Sequence, residues 1–109
     1  MPQINFSDIF QQLKTNVLQL AETNVKDFAS SAKKDAQKML DTMKSDLKQW
    51  TQQLADGEIT KKEFEFLVRT EKDSFKMEGL KQKGLAKVEI DKFRNGVFNM
   101  ITDTIFGFI

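Results

Sequence analysis

Gln53-Leu54-Ala55-Asp56-Gly57-Glu58-Ile59-Thr60-Lys61-Lys62-Glu63-Phe64 is the stretch that decides the fold. Gly57 suits the left-handed backbone with which many helices end, because a side chain there crowds its own carbonyl. Thr60 and Glu63 then have the spacing of a capping box, in which each side chain accepts the other residue's backbone N–H. Ile59 and Phe64 flank the box at the positions of a hydrophobic staple. A helix therefore stops at Asp56-Gly57 and another starts at Thr60. A turn as short as 56–59 favours an antiparallel pair.

Outward from that turn, both arms read as helix. No Gly precedes Gly57, and the only Pro is Pro2. Asn5 or Ser7 can cap the first helix, with Asp8 favourable in its first turn. The apolar positions Leu13, Val17, Ala21, Val25, Phe28, Ala32, Ala36, Met39, Met43, Leu47, Trp50 and Leu54 step by three or four residues, which is one stripe on one helix face. Downstream the stripe is Phe64, Val68, Phe75, Gly79, Ala86, Ile90, Phe93, Val97, Ile101 and Phe108. Gly79 and Gly84 weaken it by about 1 kcal/mol each relative to Ala. The expectation is an all-α chain of two long helices, about 7–55 and 60–106, in a single domain spanning 1–109 with an N-terminal extension at 1–6 and an apolar tail at 97–109.

The stripes share an eleven-residue rhythm. Val17, Phe28, Met39 and Trp50 lie eleven apart, and so do Phe64, Phe75, Ala86, Val97 and Phe108. Eleven residues in three turns is close to the relaxed helix, so such helices pair nearly straight, as in a hendecad coiled coil. Any long amphipathic helix drifts through these spacings; two helices sharing them suggests pairing over most of their length. Folding at the turn places Ala36 opposite Gly79 and Ala29 opposite Ala86, a waist of small residues. The expected core within the hairpin is Phe28, Ala36, Met39, Met43, Leu47, Trp50, Phe64, Val68, Phe75 and Gly79.

A two-helix hairpin encloses no core, and small chains of that kind need a partner. Phe66, Met77 and Val88, also eleven apart, fall opposite the Phe64 stripe, and a helix apolar on two faces is normally buried on both. The tail points Phe98, Ile101, Ile105, Phe106, Phe108 and Ile109 in nearly every direction, and the hairpin register brings it beside Phe6 and Phe10 at the end remote from the turn. These eleven residues are the expected oligomer interface, since a large exposed apolar patch marks an association site.

Composition narrows the function. Seventeen basic and sixteen acidic residues leave a net charge of +1, with 30% of residues charged. That gives no reason to expect nucleic acid. The chain has no His, Cys or Tyr, so the commonest general base, the thiolate nucleophile and the usual zinc ligands are missing. No cofactor or metal is expected, and no catalytic residue is assigned. Asp56-Gly57-Glu58-Ile59 with Glu63 resembles the second half of a calcium-binding loop, but Gln52 and Leu54 stand where carboxylates belong. Lys81, Lys83 and Lys87 alternate with Glu78 and Glu89, as on a solvated face. Carboxylate neighbours such as Asp41 with Asp46 and Glu89 with Asp91 have no polar group converging on them in the sequence. The start, Met1 to Phe6, lacks the basic and apolar segments of a signal peptide. At 13 residues, Val97 to Ile109 is too short to span a bilayer as helix.

These readings converge on a structural, self-assembling helical protein, a subunit of a bundle, ring or filament that associates with copies of itself. The alternative is an amphipathic protein that coats or penetrates a lipid surface.

Overall fold

The computed structural model describes residues 5–109, apart from the side chains of residues 72–74. The chain is all-α, with no strand among the described residues. Its helices are α1 (Phe6–Asn24), α2 (Ala29–Ala55), α3 (Lys61–Ser74), α4 (Glu78–Gln82) and α5 (Lys87–Phe108), with a short 3-10 turn at Lys26–Phe28.

The turn at 56–59 forms as its residues dictate. Gly57 has φ +78°, and the Glu58 N–H reaches back to the Gln53 carbonyl at 2.8 Å while the Gly57 N–H reaches Leu54 at 3.2 Å. That pair of bonds closes α2 as a Schellman motif. The capping box opens α3: the Glu63 N–H donates to Thr60 Oγ1 at 3.1 Å, and the Thr60 N–H donates to Glu63 Oε1 at 2.9 Å.

Neither arm is continuous, however. The stretch 7–55 reverses direction at Val25–Phe28, where Val25 takes φ −133° and ψ 58° and the Phe28 N–H closes on the Val25 carbonyl at 2.8 Å. No Gly or Pro marks the place. The stretch 60–106 breaks twice, at 75–77 and at 83–86. The second break is another Schellman closure: Gly84 has φ +86°, its N–H bonds Lys81, and the Leu85 N–H bonds Leu80.

These breaks turn the hairpin into a four-cornered antiparallel bundle. α1 packs on α2 and α5, α2 packs on α3 and α4, and α3 packs on α5. The antiparallel sense shows in the pairs that meet. Glu22 bonds Lys33 and Phe10 lies under Lys44, while Asn16 bonds Thr104 and Phe64 meets Phe106. α2 is 27 residues long, about 40 Å of helix, and sets the 47 Å long axis of the molecule.

Four helices enclose what two cannot. Leu13, Val17, Met39, Met43, Leu47, Phe64, Val68, Phe93, Val97, Ile101 and Ile105 are all sealed from solvent. Of the core expected within the hairpin, Ala36, Met39, Met43, Leu47, Phe64 and Val68 are buried, and Phe28, Trp50 and Phe75 are half-buried against them. The premise that the chain lacks an enclosed core of its own is therefore corrected: α1 and α5 supply the two missing walls. The start of α1 also lies beside the turn, not remote from it, with Phe6 facing the same depression as Gln53 and Asp56.

Candidate interaction surfaces and the α2–α4 latch

A buried, charge-assisted polar contact joins α2 to α4. Asp35 follows Ala32 by one turn on the inward side of α2 and is only 7% exposed. Its carboxylate accepts the Gly79 N–H at 3.0 Å and the Leu80 N–H at 2.7 Å. The first N–H groups of a helix have no partner within it, and α4 has no side-chain cap of its own, so Asp35 supplies from another helix what its own turn lacks. Gly79 is what lets the carboxylate come so close: a Cβ there would sit 2.6 Å from Asp35 Oδ1. The residue that meets Gly79 is therefore Asp35, the neighbour of the expected Ala36. Asp35 lies outside the expected stripe, although a carboxylate in phase with Ala32 and Met39 is visible in the sequence.

Arg94 makes the complementary contact from α5. Its guanidinium donates to the Phe75 carbonyl at 3.2 Å and to Asp91 at 3.0 Å. Arg94 and Asp35 together hold the α3–α4 break from opposite sides.

The carboxylates find partners that sequence spacing did not indicate. Asp46 meets Glu71 across the α2–α3 contact. Burial chiefly, then the hydrogen bond and charge of Asp46, push the Glu71 carboxyl from its ordinary 4.5 up to about 7. Glu89 lies 3.9 Å from Lys92, and Asp91 is held by Arg94. Near the turn, Asp56 accepts from Gln52 and Glu63 accepts from Thr60, so two of the carboxylates of the calcium-loop resemblance are engaged within the protein. Among the described residues no three His, Cys, Asp or Glu side chains group as metal ligands. No helix among them is long and apolar enough to cross a membrane.

The eleven residues expected at an oligomer interface divide sharply. Met77, Phe98, Ile101, Ile105, Phe6 and Phe10 are buried within the chain itself, and Phe106 packs on Phe64 with rings 5.6 Å apart. Met77 leaves the Phe66 face because the break at 75–77 lets α4 turn it inward. Phe10, Phe106 and Phe98 are roofed by Lys44, Lys61 and Arg69, whose cations lie 5.1, 5.2 and 5.4 Å from the ring centres. Part of the cover expected from a partner is therefore supplied by this chain's own side chains.

What remains outside is Phe66 at 68% exposure, Val88 at 64%, Phe108 at 51% and Ile109 at 47%. Phe66 shares a shallow cleft with Ile59 and Leu67, rimmed by Lys62 and Glu63. α5 ends level with the start of α3, so Phe108 and Ile109 belong to the same end of the bundle. Val88 stands at the other end, where Leu85 and Ile90 lie among Lys81, Lys87 and Arg94. Comparison with protein-family models, with curated proteins and with solved structures finds no match to this chain.

Proposed function

We propose that this chain is a non-catalytic structural protein that associates with copies of itself, as the subunit of a helical bundle, ring or filament. The observation that carries the reading is the apolar end of the molecule. Phe66, Phe108 and Ile109 stay exposed at one end of a bundle whose core side chains are sealed, and Ile59 and Leu67 line a cleft beside Phe66. Phe and Ile held in water at one end, with Lys62 and Glu63 at the rim, have the anatomy of an apolar interface centre with a polar border. A patch that is not self-complementary repeats head to tail, giving rings where the rotation closes and filaments where it does not.

Sedimentation velocity with light scattering on the purified chain tests this, alongside Phe66→Asp and Phe108→Asp. Concentration-dependent association that either substitution reduces at least tenfold supports the reading. A chain that stays monomeric at every concentration sinks it.

A second reading draws on the opposite end. Exposed Val88 and half-buried Leu85 sit among Lys81, Lys83 and Lys87, while Glu89 and Asp91 already have cationic partners. This combination suits an anionic lipid surface. Flotation with phosphatidylserine vesicles separates the two readings, because self-association needs no lipid.

A further inference from the structure

We propose that α5 is exchangeable between two copies of this chain: residues 75–86 close into helix, α3 to α5 become one continuous rod, and each α5 docks on the α1 and α3 of the other copy. The inference rests on the self-association reading and names the element exchanged.

Three observations carry it. The first is that the break at 75–79 is held from outside. In an unbroken helix the Gly79 N–H would bond the Phe75 carbonyl, four residues back. Here the Gly79 N–H is taken by Asp35 of α2, and the Phe75 carbonyl by Arg94 of α5. Both halves of one missing helical bond are occupied by side chains from other helices, so part of what keeps the segment broken lies outside it.

The second is the sequence pattern. Phe64, Phe75, Ala86, Val97 and Phe108 keep their eleven-residue phase straight through both breaks, and so do Val68, Gly79, Ile90 and Ile101. A stripe that stays in phase across 75–86 fits one helix as well as three. No Pro lies in the segment to forbid it.

The third is the break at 83–86, which rests on one residue. Gly84 holds φ +86°, and a Cβ on it would meet nothing within 4 Å, so only backbone conformation, not space, reserves the site for glycine. In the exchanged dimer each α5 keeps its neighbours in kind: Asn16 still meets Thr104 and Phe64 still meets Phe106, now across two chains. The segment 75–86 changes: it gains helical hydrogen bonds and gives up those to Asp35 and Arg94, along with the packing of Met77 and Leu80 on α2. Exchange of this sort is a low-cost route to a dimer.

The test uses two substitutions that push the hinge in opposite directions, and one pair of markers. Gly84→Ala penalises the left-handed turn and favours continuous helix. Lys87→Pro does the reverse. Position 87 is the first residue of α5, where proline is well tolerated, and Ala86 before it already has the extended backbone that proline demands (φ −62°, ψ 144°). In an unbroken rod the same proline would lie mid-helix. Asn16→Cys with Thr104→Cys, in a chain otherwise free of cysteine, marks the α1–α5 contact for a short bis-maleimide.

The expected result is a dimer whose share rises at least fivefold in Gly84→Ala and vanishes in Lys87→Pro, with residues 16 and 104 cross-linked between chains in the isolated dimer. A dimer that survives Lys87→Pro, or whose cross-link lies within one chain, overturns the exchange and leaves association through the apolar end standing. Monomer alone in every variant overturns both. If Lys87→Pro fails to fold, the cross-link in the otherwise unaltered chain gives the decision by itself.

Discussion

Asp35 and Thr51 are both buried polar residues of α2, and they have opposite energetic roles. Asp35 is the acceptor for two backbone N–H groups at the start of α4. Its replacement by alanine leaves both donors without the partner that justifies their position, and hydrogen bonds to a charged group are among the stronger ones. Asp35→Ala is expected to lower stability by about 2–3 kcal/mol, read as a shift in the urea midpoint at unchanged slope. Gly79→Ala should fail for the same contact, because the carboxylate it would strike is fixed by those two N–H groups. Thr51 is the reverse case. Its hydroxyl is sealed from solvent and bonds nothing among the described residues, so it bears a desolvation cost with no return. Thr51→Val keeps the shape and removes the cost, and a gain of about 1 kcal/mol in urea unfolding is expected. A loss would mean that the hydroxyl has a partner in solution.

At the scale of elements, the α2–α3 pair carries a pH response. Glu71 binds its proton more tightly in the folded chain, where its pKa is about 7, than in the unfolded chain, near 4.5. The protonated form is the one the fold favours. The contribution to stability is therefore complete below about 4.5 and is lost as pH rises through about 7. The urea midpoint is expected to fall between pH 5 and pH 8, roughly the window in which one state holds the proton and the other does not. Glu71→Gln, permanently neutral, should flatten that fall. If the variant keeps the full slope, the response belongs to another group. The elements also show how far sequence reading reached. The 56–59 turn was legible because Gly57, Thr60 and Glu63 each act on backbone groups within a few residues of themselves. The break at Val25–Phe28 was not, since Val25, Lys26, Asp27 and Phe28 are all tolerated in a helix and the stripe passes through them unchanged. The break at 75–77 was hidden for a related reason: its capping groups, Asp35 and Arg94, come from elsewhere in the chain. Gly84 was visible as a weak point, but its role as a terminator depends on the 83–86 backbone turning α5 back along α3.

For the whole molecule, closing the bundle changes what cooperates. An open hairpin would let its ends fray independently, whereas here α1 and α5 each contact helices far away in sequence. Trp50 rests half-buried against the core on α2 and reports on that packing. Its fluorescence and the far-UV circular dichroism are expected to trace one coincident urea transition, as in a two-state domain. Transitions that separate would show that α1 or α5 lets go before the rest. The closed bundle also reassigns the apolar side chains. Of the residues expected to face a partner, Met77, Phe98, Ile101 and Ile105 serve the chain's own core, and Phe66, Val88, Phe108 and Ile109 are left to meet something outside.

The sequence alone determined helix as the only regular structure and Asp56-Gly57 as the point of reversal. It also marked the faces of α2 and α3 that turn inward, with Met39, Met43 and Leu47 on one and Phe64 and Val68 on the other. These follow from periodicity, capping and glycine geometry, all of which act within a turn or two of chain. Tertiary structure decided that the two arms fold again into four walls and that an aspartate on one helix starts another. It also decided which apolar residues remain for a partner. Those outcomes depend on contacts between residues tens of positions apart, where burial of the whole core outweighs the weak local preference of either arm to run straight.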